Sequence, residues 1–138
     1  MGLPIHHLAV VVADLERAER FYGGVLGLPV LRRWDDEVGR ARSVWLELGA
    51  GAFLAVEKSD APPTTPARPR AAAGPGWHCV ALAIDRGARE DWRRRLAEAG
   101  HPVERETVFT LYARDPEGNL VALSHWPEEA LDPPAAPR

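Results

Sequence analysis

His7-Leu-Ala-Val-Val-Val-Ala-Asp14 returns as His78-Cys-Val-Ala-Leu-Ala-Ile-Asp85, seventy-one positions further on (78 minus 7). Each copy sets a His seven residues before an Asp with an apolar, β-prone run between them. Each then continues into a stretch of helical periodicity and closes on Gly-x-Pro-Val, as Gly27-Leu-Pro-Val30 and Gly100-His-Pro-Val103. A unit written twice predicts a pseudo-twofold fold, in which equivalent positions of the two halves converge on one cavity. Whether His7 and His78 share a ligand is therefore the question on which function turns.

Working outward, Ile5 to Ala13 is continuous in apolar character, the pattern of a strand covered on both faces. Asp14 stands at an N-cap, where its carboxylate can accept from the free amides of the first turn. Leu15, Ala18, Tyr22, Val25 and Leu26 recur at helical spacing, and Gly27 ends the helix. Gly23-Gly24 costs about 1 kcal/mol per Gly relative to Ala inside a helix, so its second half should fray or bend. Strands are predicted over Val30 to Trp34, Ser43 to Leu48 and Ala52 to Glu57, with Gly49-Ala-Gly51 as a tight hairpin. The second copy repeats the order. His78 to Ile84 reads as a strand, and Asp85 as the cap of a helix carrying Ala88, Trp92, Leu96 and Ala99. Val103 to Thr107, Thr110 to Ala113 and Asn119 to Ser124 are strands, with Asp115-Pro-Glu-Gly118 turning between the last two. The chain thus parses into a first unit over 1–60, a Pro-rich linker over 61–76, a second unit over 77–126 and a Pro-rich tail over 127–138.

Bulk properties exclude several function classes. The 138 residues, 46% of them hydrophobic, suffice for one domain or two fused half-domains. No apolar stretch approaches a membrane span and no signal-peptide pattern opens the chain, so the expectation is a soluble, cytoplasmic protein with no membrane partner. A net charge of −3 gives no electrostatic footprint for nucleic acid. Arg93-Arg-Arg95 shares its helix with Glu90, Asp91 and Glu98, the composition of a solvated face. The lone Cys79 sits among apolar strand residues as a reduced core thiol. No phosphate-cradling glycine loop or nucleophile motif is present.

The stretch from His7 through Asp14-Leu-Glu-Arg-Ala-Glu-Arg-Phe-Tyr-Gly-Gly-Val-Leu-Gly-Leu28 resembles the opening module of the vicinal oxygen chelate superfamily, which spans glyoxalases, bleomycin- and fosfomycin-resistance proteins and extradiol dioxygenases. Arg114-Asp-Pro-Glu-Gly-Asn-Leu-Val121 resembles the closing hairpin of its second module. The resemblance covers about residues 3 to 126. It implies an α+β fold of paired βαβββ modules forming an open curved-sheet cup, a small-molecule ligand and a homodimer. It also implies metal ligands on the first and last strands of each module, which places His7 and His78 as candidates. The last-strand carboxylate positions, four residues after Gly51 and Gly118, hold Ala55 and Ala122.

That departure governs the functional expectation. Catalytic metal sites usually take three protein ligands and an open position, so two imidazoles alone make an incomplete site. Glu57 shares a face with Ala55 but lies about 6.6 Å along the strand, at ~3.3 Å per residue. The expectation is a cup with no metal or a weakly bound zinc, iron, manganese or nickel ion, acting by ligand binding in the manner of bleomycin-resistance proteins. The competing expectation is a divalent-metal lyase, isomerase or dioxygenase using His7, His78 and an unassigned third ligand. Catalytic candidates are His7, His78 and Glu57, either imidazole or the carboxylate serving as a general base. Ligand-binding candidates are Trp45, Glu47, Tyr112 and Arg114, polar-aromatic rows suited to a flat, partly polar molecule. Trp34, Trp77, Trp92 and Trp126 read as packing residues, and His6, facing away from His7, as structural.

Overall fold

In the computed structural model, Asp14 caps as its position predicts: its side chain accepts from the Arg17 amide at 3.0 Å. The structure describes residues 2–61 and 74–127. Most of the predicted linker and of the predicted tail lies outside the described residues. The chain divides into two compact units, Met1–Pro66 and Ala67–Arg138.

The first unit runs β1 (His7–Val12), α1 (Leu15–Glu19), β2 (Val30–Asp35), β3 (Ala41–Gly49) and β4 (Ala52–Lys58). After α1 the chain continues as a π-helical turn over Arg20–Val25, containing the Gly23-Gly24 pair expected to bend it. Gly27 ends the helix in the left-handed region at φ 74°. The sheet order is β1-β4-β3-β2, with β1 parallel to β4 and the other pairs antiparallel. One face carries Val12, Val44, Leu46, Leu54 and Val56, and packs with Leu15, Ala18, Phe21, Tyr22 and Leu26 into the core. Those side chains take the helix onto β3 and β4, since period-2 and period-3.6 apolar patterns must bury each other. The opposite face is open. Continuous apolar character in β1 led to an expectation of cover on both faces, yet Val11 is 63% exposed. Its neighbours His7 and Ala9 are exposed as well.

The second unit repeats the order as β5 (Val80–Ala83), a 3-10 turn (Arg86–Ala88), α2 (Arg89–Glu98), β6 (Arg105–Glu106), β7 (Thr110–Arg114) and β8 (Leu120–Ser124). Its sheet order is β5-β8-β7-β6, with β5 parallel to β8. Leu96, Leu111, Ala113, Val121 and Leu123 are buried. Three sequence expectations are corrected here. Asp85 makes no side-chain cap hydrogen bond, because the chain enters the helix through a 3-10 turn containing Gly87. The strand expected over Val103 to Thr107 shrinks to Arg105–Glu106; Pro102 before it offers no amide, and Thr107 turns back to bond Thr110. The strand expected from His78 begins at Val80, leaving His78 outside it.

These registers align the two units independently of the sequence match. Trp45 and Tyr112 each pair across from an alanine, Ala55 and Ala122 respectively. Those same alanines pair with Ala9 on β1 and Ala81 on β5. Ala9 and Ala81 are seventy-two positions apart (81 minus 9), one more than the sequence repeat. On strand register His7 therefore corresponds to Cys79, and His78 to His6. The physical cause is one residue fewer between strand and helix in the second unit, where Ala81 precedes Asp85 by four positions and Ala9 precedes Asp14 by five.

Candidate functional site

The open face of the first unit is built by alternation along four neighbouring strands. Pairing puts Trp34 beside Ser43 and Ser43 beside Glu57, a row crossing β2, β3 and β4. Trp45, two residues along β3 from Ser43, stands in the next row, across from Ala55. Phe53 and His7 occupy the row after that.

Aromatic rings cover this face from edge to edge. His7 stacks on Phe53 with centroids 4.9 Å apart and planes within 9°. Phe53 in turn stacks on Trp45 at 4.5 Å, and Trp45 meets Trp34 at 5.2 Å in a tilted pair. The Arg32 guanidinium lies 3.5 Å from the Trp34 ring centroid, a cation-π contact that holds the outermost ring. His6 is part of the cluster, which corrects its assignment to the opposite side: its Nδ1 is 2.8 Å from His7 Nδ1, and its ring meets Phe53 edge-on. The strand begins at His7, so alternation does not extend back to His6.

A cavity of about 310 Å³ opens beside the tryptophan pair, lined by Trp34, Asp35, Arg42, Ser43, Trp45 and Glu57. Among the described residues four buried side-chain nitrogen or oxygen atoms lack a hydrogen-bond partner: Trp34 Nε1, Ser43 Oγ, Trp45 Nε1 and His125 Nδ1. Three of these four belong to the lining of this one cavity. Buried polar groups in folded proteins are nearly always paired, and each unpaired one costs about 1–3 kcal/mol. Three together on one wall are a concentrated cost. Ser43 is only 3% exposed. The Glu57 carboxylate, half-buried across from it, has no hydrogen bond or ion pair among the described residues.

The remaining predicted residues fall elsewhere. Glu47 is exposed on the open face beside Phe53, away from the cavity lining. In the second unit the His78 ring stands 6.4 Å from Tyr112, over which Arg105 lies at 5.3 Å. Arg114 donates to Glu104 at 3.0 Å and to the Gly118 carbonyl at 3.0 Å, tying β7 to its neighbours. Trp34, assigned to packing from sequence, lines the cavity with Ser43, Asp35 and Arg42, none of which sequence reasoning singled out. The available signal was alternation, since Ser43 lies two residues from Trp45 and shares its face of the strand.

Donor chemistry in either unit by itself does not suit a catalytic divalent ion. Ala55 and Ala122 offer no ligand atom, the His7 ring is engaged by His6 and Phe53, and no cluster of three His, Cys, Asp or Glu occurs among the described residues. No helix among them is long and apolar enough to cross a membrane.

This fold and its duplicated βαβββ register agree with the comparison of sequences. Residues 4–123 match the family model of the Glyoxalase/Bleomycin resistance protein/Dioxygenase superfamily, and the chain belongs to that family. Among solved structures, a glyoxalase family protein from Enterococcus faecalis is similar at 27% identity and TM-score 0.67, covering 88% of this chain and 97% of that one. A lactoylglutathione lyase from Agrobacterium tumefaciens is similar at 23% identity and TM-score 0.65, over 89% of this chain and 93% of that one. A variant of the fosfomycin resistance protein FosX from Listeria monocytogenes, complexed with Mn(II) and 1S,2S-dihydroxypropylphosphonic acid, is similar at 17% identity and TM-score 0.71, over 95% and 99%. No curated protein matches the sequence.

Proposed function

We propose that this protein binds a small organic molecule on the open face of its first unit, in the cavity beside Trp34 and Trp45, without a complete metal site. The observation that carries this reading is that three buried, unpartnered polar atoms belong to residues lining one cavity of about 310 Å³. That volume suits a compound of one or two rings, at the low end of ligand pockets. Indole faces supply stacking area, while two N–H groups and a hydroxyl supply directed hydrogen bonds. Unsatisfied donors in a folded protein are a stored cost that a complementary ligand removes.

A screen of small planar compounds, followed through the indole N–H resonances and tryptophan fluorescence, tests this. Binders should shift the Trp34 and Trp45 signals and lose affinity in Trp45→Ala. Binders that leave both indole signals unmoved would place the ligand elsewhere. The metal-dependent lyase, isomerase or dioxygenase reading has its own test in cobalt titration of wild type and a His7→Ala/His78→Ala double variant. Stoichiometric uptake lost in the double variant would replace the metal-free reading.

A further inference from the structure

The polar groups of this cavity are arranged by kind, and the arrangement selects a chemical class of ligand. Indole nitrogens donate only, and a carboxylate at neutral pH accepts only. The row Trp34, Ser43, Glu57 thus offers a donor, a hydroxyl and an acceptor in sequence across three neighbouring strands, with the Trp45 donor beside them. Neighbouring strands stand about 4.8 Å apart, so the donor and acceptor ends address adjacent atoms of one small group rather than two remote ones. Formal charge at the lining comes from Asp35 and Glu57 against Arg42, two carboxylates to one guanidinium. With the Arg32 guanidinium on the Trp34 ring the local charges balance, but an anionic ligand has no proton to donate and would leave the Glu57 carboxylate unsatisfied. A purely cationic one would satisfy Glu57 and leave the indoles and Ser43 without an acceptor.

We propose, resting on the cavity reading above, that the ligand is a flat, uncharged ring system carrying a carboxamide, lactam or urea edge. Its carbonyl accepts, through its two lone pairs, from the Ser43 hydroxyl and an indole N–H of the Trp34–Trp45 pair, and its N–H donates to Glu57. The two indole nitrogens are closed off from solvent, so the Trp34–Trp45 pair parts as the ligand enters.

Three probes of one size and different polar edge decide the matter: benzamide, benzoate and benzamidine, titrated into the full-length protein while the indole N–H signals are followed. Benzamide should bind at least tenfold more tightly than either of the others and shift both indole signals. Ser43→Ala should weaken benzamide about tenfold. Glu57→Gln, which keeps an acceptor and removes the charge, should narrow the gap between benzamide and benzoate about fivefold by improving benzoate. Benzoate binding as well as benzamide in the wild type, with the indole signals moving, would overturn the neutral-edge assignment and leave the cavity reading intact. Tightest binding by benzamidine would overturn the acceptor half of it. Failure of all three probes, together with a planar-compound screen that never moves the indoles, would remove the cavity reading itself.

Discussion

Matched positions of the two units have been put to opposite uses. In the first, Ser43 sits across from Glu57, and its hydroxyl has no partner. In the second, the same places hold Thr110 and Ser124, whose hydroxyls bond each other at 2.9 Å. The Glu47 side chain stands exposed and without a partner among the described residues, whereas its counterpart Arg114 is tied to Glu104 and the Gly118 carbonyl. Two arginines differ likewise. Among the described residues Arg32 makes a cation-π contact with Trp34 and no side-chain hydrogen bond or ion pair, while Arg89 donates to the carbonyls of Thr107 and Val108 and to His125. Because a guanidinium only donates, His125 Nε2 must accept and its proton sits on Nδ1. A face that satisfies its own polar groups has little left to offer a ligand. Among the described residues the first unit keeps three unpaired buried side-chain atoms, whereas the second leaves His125 Nδ1 alone unpaired.

The largest expected effect follows from Arg89. Its side chain is 15% exposed, and Arg89→Ala would leave two carbonyls and a buried imidazole without their donor. Stability should fall by about 3 kcal/mol, read as a drop in the urea midpoint. Arg32→Ala, removing an exposed cation-π contact, should cost about 0.5 kcal/mol. Similar losses from both would break the distinction between a self-satisfied unit and an open one.

Ser43 and Ser124 sharpen it further, because the two units predict changes of different sign. Ser124→Ala strands the Thr110 hydroxyl and should destabilise by about 1 kcal/mol. Ser43→Ala deletes a buried hydroxyl that bonds nothing, so stability should hold or rise by up to about 1 kcal/mol. Thermal denaturation of both variants without ligand gives the comparison directly. A Ser43→Ala loss as large as that of Ser124→Ala would mean the hydroxyl has a partner in solution, and the cavity would lose one of its three free polar groups.

How far the sequence carries depends on which physical signal each feature leaves. The paired βαβββ order was legible because helix and strand periods, the Asp14 cap and the Gly27 stop are local, and the second unit repeats the periods and the glycine stop, at Gly100, without the cap. The strand match of His7 with Cys79 was hidden, since the repeat aligns on Asp14 and Asp85 and the missing residue falls just before them. The cavity was hidden for a related reason. Register shifts in β2 between Val30 and Arg32 and again between Trp34 and Asp35 reset its alternation. Counting by twos along β2 could therefore not bring Trp34 to the face of Trp45. Trp45 and Glu57 lie on the regular middle of the sheet, where the period of two holds.

The smallest effect concerns the position where strand register sets Cys79 against His7. His7 is exposed and lies in the aromatic row, whereas Cys79 is partly buried, and that burial pushes its thiol above the ordinary cysteine range. A raised thiol pKa lowers the thiolate fraction at any given pH, and the thiolate is the species that reacts. Alkylation of Cys79 at pH 8 should then run a few times slower than that of a free cysteine, about threefold. Its rate should still be climbing with pH where the free thiol has levelled off. Alkylation as fast as the free thiol would mean that Cys79 is as open as His7, making the second unit's first strand available for binding after all. Slow alkylation would confine the usable polar and aromatic groups of this row to the first unit, where Phe53 stacks on His7 and Trp45 on Phe53.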